Sequence, residues 1–305
     1  MQANLPHSFQ IVSDRLFEQD IPLIHKLPEL AIFLANQIKN RYLCPLKQKT
    51  EIPDLEQKKK IYFASDAHLG APTISDHRAH ELRFVAWLDQ IKADALEVYL
   101  MGDIFDFWFE YKHVVPQGHT RFLGKLCELT DSGIPVHFFT GNHDIWVFDY
   151  LPRETGVIVH KGPYFPVIDG KKFFLAHGDG LTPDEKAYKR LKALFTNNLA
   201  QKLFKWLHPD LGVGIAHFWS RKSRESNQEA ETAKFQGEEN EWLIKFAKNT
   251  LKKEHFDYFI FGHRHVAINL KIAENSRVCY LGDWVHHFSY AQWDGETLEL
   301  KYYQG

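Results

Sequence analysis

Cysteine and methionine are scarce in this 305-residue chain, with three of the first and two of the second. Cys44, Cys127 and Cys279 are scattered and odd in number. That excludes a disulfide framework and fits reduced thiols in a cytoplasmic protein. No apolar run approaches the roughly 20 residues of a membrane span. The N-terminus shows no basic-plus-apolar signal segment either. Charge of one sign is also missing: 37 Lys and Arg stand against 39 Asp and Glu, a formal net charge of −2. No global basic field calls for nucleic acid. There is no internal repeat and no low-complexity tract. The length allows one large domain with appendages and a sizeable core.

What is present is five short blocks of acids, amides and histidines. They are Asp66-Ala-His68, Gly102-Asp103, Gly141-Asn142-His143-Asp144, His177-Gly-Asp179 and Gly262-His263-Arg-His265. Each follows an apolar run: Ile61-Tyr-Phe-Ala, Val98-Tyr-Leu-Met, Val136-His-Phe-Phe, Phe173-Phe-Leu-Ala and Tyr258-Phe-Ile-Phe. Runs of β-branched and aromatic residues read as buried strands. Strands of one sheet would deliver all five blocks to a common edge, where open α/β folds place their sites. A lone histidine is usually a satisfied core group, but five such blocks in this order are hard to produce by chance.

The ligand types narrow the chemistry. Asp, Asn and His without thiolates suit divalent ions such as Mn²⁺, Fe²⁺ or Zn²⁺ rather than a structural Cys-zinc site. Asp66, His68, Asp103, Asn142, His177, His263 and His265 are too many ligands for one ion and about right for two sharing a bridge. Asp103, with two carboxylate oxygens, is the natural bridging group. Two ions roughly 3.5–4 Å apart can hold a hydroxide and clamp a phosphoryl group.

These blocks resemble the calcineurin-like metallophosphoesterase family over about residues 60–290. The resemblance implies an α/β fold, a β-sandwich flanked by helices. It implies one ion on Asp66, His68, Asp103 and His265, and a second on Asp103, Asn142, His177 and His263. His143 would stabilise phosphoryl charge or protonate the leaving oxygen, with Asp144 as its orienting partner and Asp179 supporting a ligand.

The rest of the chain reads as follows. Leu23, Ile24, Leu27, Leu30, Ile32, Phe33, Leu34 and Ile38 lie at spacings that fit one helix face. Residues 1–57 are therefore an N-terminal helical extension and linker, and 58–305 the catalytic domain. Helices are expected at 76–92, 119–132 and 145–154. Strands are expected at 97–101, 136–140, 157–168, 172–176 and 257–261. Val278–Tyr303 reads as antiparallel strands with a turn at Asp294-Gly295.

A long helical insertion is expected over 184–254. Within it, residues 186–224 carry nine Lys or Arg and one acid, a local balance of +8, with six aromatics. Two readings compete: a helical hairpin with a solvated basic face, or a lid over the site with an apolar slot lined by Phe195, Leu199, Leu203 and Trp206. An amphiphilic anion with acyl chains would need both cations and a slot.

Phe105-Asp106-Phe-Trp108, Leu281-Gly-Asp283-Trp284 and the lid resemble one branch of the family, the UDP-2,3-diacylglucosamine pyrophosphatases of lipid A biosynthesis. This implies cleavage of a nucleotide-linked glycolipid to UMP and 2,3-diacylglucosamine 1-phosphate. It also implies a peripheral location on the cytoplasmic face of the inner membrane. Asn142, His143, Glu185, Tyr188, Ser223, Asn227 and His263 would occupy substrate-contact positions. The better-known branch has Arg where this chain has His143, and Asp where it has Glu185. The competing functions are a phosphoesterase for a soluble nucleotide, nucleotide-sugar or phosphoprotein, and a non-catalytic interaction module.

Overall fold

Two β-sheets lie face to face, each built around parallel strands. The computed structural model describes residues 60–182, 186–226 and 234–305. The expected N-terminal extension over residues 1–57 lies outside the described residues.

The first sheet contains β1 (Lys60–Ala64), β2 (Ala95–Leu100), β3 (Val136–Phe139), β4 (Ile158–His160), β10 (Ser289–Trp293) and β11 (Leu298–Tyr302), in the order β11-β10-β1-β2-β3-β4. Strands β1 to β4 run parallel, and β10 and β11 close one edge antiparallel. The second sheet has the order β5-β6-β7-β9-β8. It contains β5 (Val167–Ile168), β6 (Lys171–Ala176), β7 (Tyr258–Phe261), β8 (Ala267–Ala273) and β9 (Ser276–Leu281). Strands β6, β7 and β9 are parallel, flanked by antiparallel β5 and β8.

The apolar runs are continuous because these strands are buried on both faces. Alternate side chains serve two different cores. Ile61, Phe63, Tyr99, Met101, Phe173, Leu175 and Ile260 fill the space between the sheets. Their neighbours Tyr62, Ala64, Val98, Leu100 and Phe138 face outward. These pack under helices α1 (His77–Ile91) and α2 (Thr120–Asp131), which contribute Phe84, Trp87, Leu88, Phe122 and Leu126. On the far side Phe174, Ala176, Phe259 and Phe261 pack under α7 (Trp242–Leu251) through Leu243, Ile244 and Ala247. Helix α1 starts where the Asp76 carboxylate accepts the Ala79 N–H at 2.8 Å, the ordinary role of an N-cap acid.

Several expected elements take a different form. The five blocks come from two sheets, not one. The expected strand over 157–168 is split: β4 joins the first sheet and β5 the second. The helix expected over 145–154 shortens to α3 (Tyr150–Thr155). The helical insertion expected over 184–254 comprises several helices among its described residues. It contains α4 (Lys186–Phe195), α5 (Asn198–Phe204) and α6 (Pro209–Ser226), before α7. Asn197 restarts the chain as an N-cap, accepting from Leu199 and Ala200 N–H, and Pro209 opens α6, where a missing N–H costs least. Strand β8 was not expected, although Ile268, Leu270 and Ile272 alternate with polar or small residues. At the C-terminus β10 and β11 form the expected hairpin, whereas β9 belongs to the other sheet.

Glu110 ties down the loop between β3 and α3. Its buried carboxylate accepts the N–H groups of Asp149 at 2.7 Å, Tyr150 at 2.8 Å and Leu151 at 3.2 Å, and the Trp108 indole N–H at 3.2 Å. Glu110→Ala leaves these donors unpaired in the interior and should cost about 2–4 kcal/mol. Chemical denaturation would measure it; a loss under about 0.5 kcal/mol, the range of neutral surface changes, would contradict this account.

Candidate metal centre

The five blocks occupy the loops at the C-terminal ends of β1, β2, β3, β6 and β7. Backbone hydrogen bonds knit these loops across the two sheets. Asp66 N–H donates to Gly102 O, His68 N–H to Asp103 O, Gly262 N–H to His177 O and Trp284 N–H to Asp66 O, at 2.8–3.1 Å. All seven expected ligands meet here.

The local backbone is strained to achieve this. Asp66, His68, Asp103, His263 and His265 all have positive φ, between 45° and 65°. Non-glycine residues rarely adopt this left-handed region, and each such residue costs of order 1–3 kcal/mol unless its surroundings enforce it. Glycine gives the neighbouring chain room. A Cβ on Gly262 would come within 2.7 Å of Asp66 Oδ2, and one on Gly141 would collide with the Asp103 carboxylate.

Among the described residues, donor atoms converge in three groups, one of them His68, Asp106 and His143 and the other two made up of expected ligands. Asp66, His68 and His265 each offer a ligand atom, all within 4.8 Å of one another, as do Asp103, His177 and His263. In the first, His265 Nε2 lies 3.3 Å from His68 Nε2 and 3.3 Å from Asp66 Oδ1. In the second, His177 Nε2 lies 3.2 Å from Asp103 Oδ2 and 3.3 Å from Asn142 Oδ1. His263 Nδ1 is 3.0 Å from that same Asn142 oxygen. Asp103 Oδ1 accepts the His143 N–H at 2.8 Å, so the two oxygens of Asp103 face different partners.

Outer contacts fix the rings. His177 Nδ1–H donates to Met101 O at 2.9 Å, which leaves Nε2 to the site. Asp106 Oδ1 sits 3.3 Å from His68 Nδ1, and Asp283 Oδ2 sits 3.5 Å from His265 Nδ1. Such partners set the tautomer and orientation of ligating imidazoles. The roles of Asp106 and Asp283 were missed at the level of sequence. Both stand in motifs that carried the resemblance, Phe105-Asp106-Phe-Trp108 and Leu281-Gly-Asp283-Trp284, and an acid near strand-end histidines was the available signal.

His143 donates its Nδ1–H to the Asp106 carbonyl at 2.9 Å, with Asp106 Oδ1 3.7 Å away. Asp144 stands elsewhere. Its buried carboxylate accepts N–H groups of Gly141 at 2.7 Å and Ile104 at 2.9 Å, and reaches those of Asp103 and Phe105 at 3.4 Å. The residue that orients His143 is thus Asp106, and Asp144 braces the loops carrying Asp103 and Asn142. Burial and the neighbouring Asp103 charge push the Asp144 carboxyl up to about 7.

The electrostatics call for positive charge. Burial disfavours a charged His177, yet the Asp103 and Asp66 carboxylates raise it to about 10. Against the same burial, Asp66 and Asp283 raise His265 to about 10. Burial, aided by His177, lowers His263 to about 4. Asp66 Oδ1 is buried and makes no well-directed hydrogen bond, although it faces His265 Nε2 at 3.3 Å. A bound cation would satisfy that oxygen and supply the charge that the carboxylates otherwise draw from protons. The donor set therefore fits divalent ions.

The insertion is attached to the site at its first helix. Asp179, two residues after His177, accepts from Tyr188 OH at 2.5 Å and Lys192 Nζ at 2.6 Å on α4. Trp146 Nε1 donates to Phe195 O at 2.8 Å, and its ring packs against Phe195 and Phe204. Between the insertion and the site lies a cavity of about 630 Å³. Asp106, Asn142 and His143 line its polar end, and Trp146, Phe195 and Leu203 its apolar walls. The slot expected from sequence is only partly this one. Leu199 and Trp206 do not line it and are 66% and 90% exposed. Ser223 lies on α6, and Glu185 and Asn227 fall outside the described residues.

Comparison with known proteins shows the family. The model of the Calcineurin-like phosphoesterase family matches residues 59–267. The chain belongs to this family. As a calcineurin-like phosphoesterase it is a metal-dependent hydrolase, and the family fold implies divalent ions. It is 45% identical to the UDP-2,3-diacylglucosamine hydrolase of Porphyromonas gingivalis, over 79% of this chain and 97% of that protein. The like-named protein of Edwardsiella ictaluri is 30% identical, over 78% of this chain and 90% of its own length.

Asp106→Asn should weaken divalent-metal binding by about 10–100-fold, the effect typical of a lost ligand-orienting carboxylate, with the fold retained. Calorimetric titration with Mn²⁺ would show it. Unchanged affinity would mean that Asp106 does not orient His68 for a metal.

Proposed function

We propose that this phosphoesterase hydrolyses the pyrophosphate bond of UDP-2,3-diacylglucosamine to UMP and 2,3-diacylglucosamine 1-phosphate, a step of lipid A biosynthesis. The observation that carries this reading is the cavity. It joins the polar groups of the centre to an apolar chamber under the insertion, as a phosphate bearing acyl chains requires. The names of the two relatives support the same substrate.

Two ions, Mn²⁺ in our reading, would be held by Asp66, His68, Asp103 and His265 and by Asp103, Asn142, His177 and His263. When bound, they activate water and neutralise charge on the phosphoryl group. The chain's own residues do the rest. Hydrogen bonding of Nδ1–H to the Asp106 carbonyl directs His143 Nε2 toward the centre. There His143 would stabilise charge on a phosphoryl oxygen or protonate the leaving oxygen. Asn142 and His263 border the phosphoryl position. The chamber walls exclude water and take up the acyl chains, and binding of those remote groups contributes to lowering the barrier.

The insertion also carries apolar side chains on its outside. Trp206 is 90% exposed, Leu199 66%, Leu211 58% and Phe218 57%, with Lys202 and Lys205 nearby in sequence. Apolar residues beside cations are what an anionic membrane surface binds. We read this face as the peripheral contact with the inner membrane through which lipid enters. No described helix is long and apolar enough to cross a membrane.

The test is a parallel assay with Mn²⁺ on UDP-2,3-diacylglucosamine and on UDP-sugars without acyl chains. A preference of at least about 100-fold in kcat/KM for the acylated substrate is expected, since buried chains contribute most to recognition. Equal turnover would favour a soluble nucleotide-sugar. Sedimentation with anionic phospholipid vesicles should show weaker binding of Trp206→Ser than of wild type; equal binding would remove the membrane contact.

A further inference from the structure

Residues 263 and 265 serve different ligand groups. His263 stands with Asp103 and His177, and His265 with Asp66 and His68. Arg264 lies between them and turns the other way. Its Nε donates to Glu241 Oε2 at 2.9 Å and its Nη2 to Oε1 at 2.8 Å. Both side chains are shielded, at 10% and 1% exposure. A bidentate fork fixes direction as well as distance, which a lysine ammonium cannot do.

Glu241 is itself well held. Its carboxylate accepts the Gln236 N–H at 3.1 Å, and its own N–H donates to Gly237 O at 3.1 Å. The next residue, Trp242, opens α7 and meets the His263 ring edge-on, with centroids 6.0 Å apart. Glu241 therefore stands just before α7, where that helix abuts the centre. The loop it braces is strained at both histidines, with φ of 65° at His263 and 49° at His265. Such strain persists only where the surroundings enforce it.

We propose that Arg264 and Glu241 are positioning residues that set the separation of the two ligand groups, and so of the two ions. The proposal rests on the dinuclear reading above. Relaxation of either histidine out of the left-handed region would swing its imidazole away from its own group. The fork on the intervening residue opposes this for both at once. A buried ion pair kept for stability alone would not need the fork, because a well-packed apolar pair serves stability as well.

The full chain is titrated with Mn²⁺ by calorimetry, and the paired ions are followed by electron paramagnetic resonance. Three proteins are compared: wild type, Arg264→Lys, which keeps the charge and loses the fork, and the double variant Arg264→Met/Glu241→Leu, which replaces the pair by apolar groups. The expected result is two ions with a spin-coupled signal in wild type. Both variants should lose that signal and bind at least one ion about 10–100-fold more weakly, while their metal-free thermal midpoints show them folded. Intact affinity and coupling in either folded variant would overturn the proposal, including the case where only the thermal midpoint moves. A single ion in the wild-type protein would overturn the dinuclear reading and this proposal together.

Discussion

Two carboxylates, Asp66 and Asp103, are buried at the meeting point of two sheets, and everything near them answers to their charge. Isolated anions in an interior are too costly to persist. Here imidazoles from four loops surround them, and His177 and His265 are driven to about 10 by those same carboxylates. Asp66 Oδ1 faces the rings of His265 and His68 but makes no well-directed hydrogen bond. Cations resolve both features. The left-handed backbone at Asp66, His68, Asp103, His263 and His265 is the cost of bringing the groups together. Rigid parallel strands below and braces such as Asp144 and Asp106 hold that conformation.

The insertion extends the same logic outward. Asp179 grips α4 through Tyr188 and Lys192, and Glu241, just before α7, grips Arg264. The helix that opens this segment and the turn that opens α7 are thus each tied to a loop that carries metal-site histidines. Helices α4 and α5 cover the aromatic floor formed by Phe109 and Trp146, and leave a chamber beside it. Arginine suits the Glu241 contact because its guanidinium is planar and always charged.

Much of this was legible in the chain itself. Five polar blocks after apolar runs located all seven candidate ligands, because strand ends and ligand chemistry are both local in sequence. The β-sandwich was implied only by resemblance. Composition cannot tell one sheet from two when each strand is apolar on both faces, as in Phe173–Ala176. The division between β4 and β5 depends on which sheet each half can reach, which is a tertiary property. The partner of His143 could not be read from adjacency: Asp144 is the neighbour in sequence, yet its carboxylate faces backbone amides, and Asp106, from another loop, reaches the ring. Of the four residues expected to line the slot, Phe195 and Leu203 do so, whereas Leu199 and Trp206 are left exposed; helical spacing alone does not say which side of a short helix meets the domain.

The central claim is that strained loops from two sheets hold a pair of divalent ions around Asp103. Crystals grown with Mn²⁺ and measured at its absorption edge test this most directly. The account predicts two anomalous peaks roughly 3.5–4 Å apart, one beside Asp66, His68 and His265, the other beside Asn142, His177 and His263, with Asp103 between them. A single peak, or peaks bound elsewhere with these seven side chains left uncoordinated, would contradict it.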